Sequence, residues 1–256
     1  MTISPWFWRL QTRVALVALT LLSATGCAKD RSYYPLEVGH FWEYQSYFYN
    51  SLDISLQEVS EIMAEMRGSK HPTFRPQGTS LEFRMTAMPL RELGGRRGTP
   101  LKVESGTTTW FVFSGHDSTG YYRNGRQRPG NLEPEVWSSA TYFLLTEVKL
   151  GNSWTTAYTP SLIEPETTLQ VTYEVAAVND VVTVPAGTFT ECVKITGRGQ
   201  AGSDFGHRGR PSFEVDSTVW YAPGIGEVQG ILLERDNLLA QGGRVVVQLK
   251  AYGSSG

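Results

Sequence analysis

The chain has 256 residues, 40% hydrophobic and 19% charged, a balance that excludes intrinsic disorder and allows a sizeable core. Its formal charge of −2 excludes the strongly basic face that general nucleic-acid binding needs. No long Pro/Ser-rich linker interrupts it, so one domain is expected.

The first residues read as a targeting segment. Arg9 and Arg13 precede an apolar stretch, residues 14–22, that is half the length of a bilayer-spanning helix, which needs about 20 residues. Ser23, Ala24, Thr25 and Gly26 then supply the small residues of a cleavage site, so residues 1–26 are expected to be a signal peptide. Removing them leaves 21 basic against 25 acidic residues. Cys27 follows at once, and the stretch "LLSATGCAKD" resembles the lipobox of bacterial lipoproteins, whose cysteine becomes the lipid-modified first residue of the mature chain. The resemblance implies acylation of Cys27, a short tether over 27–32, and a membrane as partner through that anchor. Each buried methylene contributes about 0.8 kcal/mol, so several chains hold where one does not. Ala28 stands where inner-membrane retention often uses aspartate, which leans the expected location to the outer membrane, facing the periplasm. The competing use of Cys27 is a disulfide with Cys192, the only other cysteine.

"YYPLEVGHFWEYQ" (33–45) sets Gly39 three residues before Trp42, and "EVKLGNSWTTAY" (147–158) repeats that spacing with Gly151 and Trp154. Both read as turn-to-strand entries with a tryptophan on the core face, and a duplicated half-domain is the alternative. In between, Leu52, Leu56, Val59, Met63 and Met66 recur at helical spacing, with Ser55 and Glu58 as a capping box and Gly68 as a stop. The spacing predicts one amphipathic helix over about 52–67, either packed on a sheet or acting as a lid. Leu81, Phe83 and Met85, then Val171, Tyr173 and Val175, then Val245, Val247 and Leu249 alternate with polar residues, as half-buried strands do. "TTTWFVFS" (107–114), "ATYFLL" (140–145) and "STVWYA" (217–222) add β-branched and aromatic runs. Asn124-Gly125 predicts a hairpin turn, and Pro223-Gly224 the centre of a tight turn. Residues 91–106 and 197–212 are Gly- and Arg-rich and read as exposed loops.

No catalytic constellation stands out. There is no G-x-S-x-G elbow, and Ser114, His116, Asp117 and Ser118 share one turn, where they cannot form a triad. His40, His71, His116 and His207 have no metal-ligand spacing, and no metal or cofactor is expected. Gly197, Gly199 and Gly202 match G-x-G-x-x-G but lack the following helix that would hold a pyrophosphate. Glu133 and Glu135 read as solvated surface. Three arginine groups, Arg96 and Arg97, then Arg123, Arg126 and Arg128, then Arg198, Arg208 and Arg210, read as solvated charge, with one anion-binding patch as the alternative.

"VPAGTFTECVKI" (184–195) and "VWYAPGIGEVQG" (219–230), together with the "YYPLEVGHFWEY" stretch, resemble motifs of a broad set of uncharacterised bacterial exported proteins and lipoproteins. The matching positions include Gly39, Trp42, Pro185, Gly187, Cys192, Trp220, Pro223, Gly224 and Gly226. The resemblance implies a curved antiparallel sheet, loosely similar to periplasmic lipoprotein carriers, over an apolar cavity. Cys192 is expected to be a buried, inert thiol on the strand face opposite Phe189, Val193 and Ile195.

The expected fold is therefore mainly β. It is a single curved antiparallel sheet or half-barrel of about nine strands with one helix packed on it, in one domain over 33–256. The expected function is that of a membrane-anchored, non-catalytic envelope lipoprotein that binds or carries an apolar or acyl ligand. A structural or accessory subunit of an envelope protein assembly is the alternative, and an enzyme with an unrecognised site the third.

Overall fold

The computed structural model describes residues 32–50, 79–160, 168–201, 213–236 and 241–255. They fold as thirteen strands: β1 (His40–Asn50), β2 (Thr79–Ala87), β3 (Arg91–Leu93), β4 (Arg96–Ser105), β5 (Thr108–His116), β6 (Gly120–Gln127) and β7 (Glu135–Leu145), followed by β8 (Ser153–Tyr158), β9 (Leu169–Val184), β10 (Gly187–Ala201), β11 (Phe213–Ala222), β12 (Gly226–Asp236) and β13 (Gln241–Ser254). No helix occurs among the described residues. The helix predicted over 52–67 lies outside them, as do the signal segment, Cys27 and residues 202–212.

Neighbouring strands are antiparallel, and the path runs β7-β6-β5-β4-β2-β1-β13-β12-β11-β10-β9-β8, with β3 paired only to β4. The two ends of this path face each other across a seam that side chains close. Thr141 Oγ1 donates to the Ala157 carbonyl at 2.6 Å and Thr156 Oγ1 to the Ala140 carbonyl at 3.2 Å, while Tyr142 N donates to Thr156 Oγ1 at 3.1 Å. Trp154 Nε1 adds a bond to the Tyr142 carbonyl at 2.9 Å. The result is a nearly closed twelve-strand barrel, which removes the exposed edges an open sheet would leave. Along β9 the side chains of Leu169, Val171, Tyr173 and Val175 point inward and are buried, whereas Gln170, Thr172 and Glu174 are exposed. That is the inverse of a transmembrane barrel, which puts its apolar band outside.

The expectation of about nine strands and a half-barrel is thus corrected to thirteen strands and near-closure. Part of the difference is residues 91–106, which are not a loop but the β3–β4 hairpin. Gly94 (φ +59°) and Gly95 (φ +73°) form its two-residue turn, as left-handed glycines do in tight hairpins. Pro100 and the glycines hid the strand character of β4, in which Thr99, Pro100, Leu101 and Val103 are buried. Asn124-Gly125 is likewise not a hairpin tip but a bulge inside β6. Asn124 Nδ2 donates to the Leu93 carbonyl at 3.0 Å, and a Cβ on Gly125 would stand 2.5 Å from the Glu135 carbonyl oxygen. Close approach of a neighbouring backbone, not turn formation, is what demands the glycine there.

One end of the barrel is plugged by aromatic rings. Tyr34 stacks on Trp42 at 5.5 Å between centroids and meets Phe143 and Tyr221 edge-on at 5.4 and 6.4 Å. From Tyr34 in this plug the polypeptide turns at Gly39 (φ +86°) and starts β1. Ser255 N donates to the Gly39 carbonyl at 2.9 Å, which brings the end of β13 to the start of β1. The tips 117–119, 185–186 and 223–225 lie at the same end, while β1, β6, β10 and β12 run away from it.

Candidate functional site

Above the plug the barrel encloses a cavity of about 430 Å³, inside the roughly 300–1,000 Å³ range of small-molecule sites. Its wall is mostly apolar: Phe83 and Met85 from β2, Leu101 and Val103 from β4, Val219 from β11, and Val245 and Val247 from β13. The reason is strand parity, because every second residue of each strand points inward. The periodic residues of β2, β9 and β13 recognised in the sequence are these inward positions.

Some of the cavity's polar groups lie towards the plugged end, while Ser46, Ser217 and Tyr158 line it farther along, where Tyr158 Oη donates to Glu234 Oε1 at 2.6 Å. Arg123 of β6 and Glu227 of β12 face the cavity together with the tyrosines 44, 158, 173 and 221. Arg123 lies 5.1 Å from the Phe143 ring centre, and its buried Nε has no hydrogen-bond partner among the described residues. Burial holds the Glu227 carboxyl above its ordinary pKa, with the Arg123 guanidinium pulling the other way. Burial likewise pushes the Tyr34 and Tyr173 hydroxyls up to about 12 against the same guanidinium, and Tyr44 and Tyr221 well above the ordinary tyrosine value. At neutral pH these hydroxyls are uncharged donors. Tyr44 Oη donates to the Glu227 peptide oxygen at 3.0 Å, and Gly230 leaves room beside the Glu227 carboxylate that a Cβ would overlap. A second cavity of about 500 Å³ shares Trp110, Val112, Arg123, Tyr158 and Leu232 with the first, so Arg123 faces both.

The motif residues recognised in the sequence lie elsewhere. Trp42 Nε1 donates to the Ile225 carbonyl at 2.5 Å, which joins the first motif to the β11–β12 turn of the third. Pro223 and Gly224 (φ +73°) are the central residues of that turn, closed by Ile225 N on the Ala222 carbonyl at 3.1 Å. A Cβ on Gly226 (φ +107°) would stand 3.2 Å from Trp42 Nε1 and 3.3 Å from Tyr34. Gly39 sits at the mouth of the same assembly. Trp220 faces outward and donates from Nε1 to Asp180 at 2.8 Å. Pro185 and Gly187 (φ +133°) shape the β9–β10 tip, whose Ala186 N bonds the Leu249 carbonyl at 2.9 Å. Cys192 is a free, fully buried thiol in the bulged part of β10. Positive φ at Glu191 marks the bulge, and Cys192 and Val193 are buried consecutively after it. None of these nine motif residues lines either cavity.

The described arginines of the three groups do not join into one patch, although Arg123, Arg126 and Arg128 all line the second cavity. Arg96 pairs with Asp117, Arg126 and Arg128 with Glu135, and Arg198 with Asp216, whereas Arg123 points inward; Arg208 and Arg210 lie outside the described residues. Arg123 belongs to one of the arginine groups read from the sequence, and Glu227 falls at an unspecified position of the 219–230 motif, so neither is singled out there. The available signal was parity: Arg123 stands two residues after the inward Tyr121. Among the described residues no three His, Cys, Asp or Glu side chains gather as metal ligands.

No family model matches the sequence, and no curated protein does. Two solved structures are similar over most of their length. A putative lipoprotein from Parabacteroides distasonis ATCC 8503 is 12% identical, with 87% of this chain and 99% of that one covered and a TM-score of 0.36. A putative exported protein with YmcC-like fold from Bacteroides fragilis NCTC 9343 is 11% identical, with 88% and 100% covered and a TM-score of 0.34.

Proposed function

We propose that this chain is an exported lipoprotein, acylated at Cys27 and held at the outer membrane, whose barrel binds or carries an apolar or acyl ligand without catalysing a reaction. The observation that carries the reading is the interior. Small barrels fill their centre with side chains, and larger ones enclose ligand cavities or channels. Here an apolar cavity of about 430 Å³ remains, with Arg123 and Glu227 as the charged pair among its few polar groups. That is how a binding site orients an amphiphilic molecule. The anchor rests on the sequence around Cys27.

Native mass spectrometry of the protein extracted from its own membrane, before and after denaturation, tests both parts. An acylated N-terminus and a lipid or acyl species lost on denaturation are the expected masses. An acylated protein with an empty barrel shifts the reading to an accessory subunit of an envelope assembly. Exchange of Cys27→Ser is expected to release the protein from membranes or block its maturation.

A further inference from the structure

We infer that the ligand is a monoanionic amphiphile of the fatty-acid type, lodged head-first with its carboxylate on Arg123 and its chain running away from the aromatic plug. The inference rests on the reading of the barrel as a ligand site. The first argument is the state of Arg123. A guanidinium carries five donors, and one held in the interior with too few acceptors is costly. Its Nε is buried without a hydrogen-bond partner, and the guanidinium lies 5.1 Å from the centre of the Phe143 ring. Among the described residues lining the first cavity the guanidinium is the one cation, so a molecule held there reaches it.

The second argument is the charge balance of the floor. Glu227 is the acidic residue lining the cavity, and the remaining ionisable groups facing it are tyrosines held neutral by burial. A single cation beside a carboxyl group matches at most one negative charge. A phosphate monoester would bring a second charge that nothing neutralises, whereas a carboxylate would also accept from the tyrosine hydroxyls. The third argument is the axial order of the wall. From the Arg123 level, β2 presents Met85, then Phe83, then Leu81, and β13 presents Val247, then Val245. The charged groups lie at the head end of this wall, and the polar lining residues farther along, Ser46, Ser217 and Tyr158, are uncharged, which fixes the orientation.

The test uses the full-length protein in nanodiscs with equimolar hexadecanoate, hexadecanol and hexadecyl phosphate at neutral pH, and native mass spectrometry reads which probe the protein retains. Comparing variants cancels the partition of each probe into the disc. The wild type is expected to retain hexadecanoate at least tenfold over hexadecanol. Arg123→Met should bring the two to near parity, and Glu227→Gln should raise hexadecanoate further by removing a like charge. Arg123→Lys, which keeps the charge but loses the fork, should fall between, and it serves if the Met variant does not fold. Equal retention of acid and alcohol by the wild type, or preference for the phosphate, overturns the head-group assignment and leaves the apolar-ligand reading intact. Retention of none of the three by folded wild type removes that reading and this inference with it.

Discussion

The bond from Trp42 to the β11–β12 turn ties together two motifs that lie at opposite ends of the chain. Trp42 is 1% exposed, stacks on Tyr34 and donates to the Ile225 carbonyl. Trp42→Phe keeps an aromatic ring on Tyr34 but removes the donor and one ring's worth of packing. A net hydrogen bond contributes about 1 kcal/mol, and leaving its partner unsatisfied brings the cost to about 1–3 kcal/mol. The lost packing adds about 1 kcal/mol by the cost of deleting buried groups. The sum is about 2–4 kcal/mol, and a domain of this size loses about 2–4 °C of Tm per kcal/mol, so Tm should fall by about 4–16 °C. Calorimetry of the full-length protein reads it. The same contact explains part of the need for Gly226, so a Gly226→Ala substitution should cost less in the Trp42→Phe background than in the wild type, leaving chiefly the positive-φ strain. A Trp42→Phe loss under about 0.5 kcal/mol, or strictly additive effects of the pair, would refute the idea that this bond couples the two motifs.

The seam between β7 and β8 should be the weakest line of the barrel. Thr141→Val removes one bond and Thr156→Val two, for about 1 and about 2 kcal/mol, and hydrogen exchange should quicken in β7 and β8 ahead of other strands; uniform quickening contradicts a seam. Glu227 has a folded-state pKa raised by burial above the ordinary 4.5, so the stability tied to its neutral form is full below about that pH and is lost as pH rises through the folded value. Glu227→Gln should therefore gain stability relative to wild type as pH climbs from about 4 towards 8 in denaturant titrations. Asp216, also raised by burial, shifts both proteins alike, so a flat difference sinks the assignment. Burial and Asp180 push the Cys192 thiol up to about 11. A maleimide should label it only after unfolding, and Cys192→Ala should leave ligand retention unchanged with a modest loss of stability. Rapid labelling of the folded protein is the contrary result.

The strands that the sequence announced were those with a uniform environment. Val171, Tyr173 and Val175 alternate cleanly because one side of β9 faces the barrel interior and the other meets water. The strands it concealed have a mixed environment. In β4, Arg96 and Arg97 are exposed while Thr99 and Pro100 are buried under neighbouring chain, and in β6 a bulge at Asn124 and Gly125 shifts the parity. Turn-forming dipeptides are local signals, and they cannot say whether the tight geometry they permit serves a reversal or a bulge against a third strand. Closure was equally hidden, since it rests on the side chains of Thr141 and Thr156, which alternate along their strands like any other threonine until the curled sheet brings each to the other edge.

The motifs and the cavity make different demands on residue type. At the plugged end a left-handed backbone needs Gly39, Gly224 and Gly226, and a carbonyl 183 residues along the chain needs an indole donor at Trp42. Few residue types meet those conditions, so they read as a pattern. The cavity wall asks only for apolar side chains at alternate positions, which Val, Leu, Met and Phe all satisfy, and so it leaves no pattern beyond a period of two. Its chemistry is concentrated in Arg123 and Glu227, which stand on β6 and β12, strands four and two places from β1 on opposite sides. They face one another across the barrel's interior, a relation that exists only once the sheet has closed. Recognition of the ligand is therefore a property of closure, and perturbing the seam should weaken hexadecanoate retention even where no residue touching the ligand has changed.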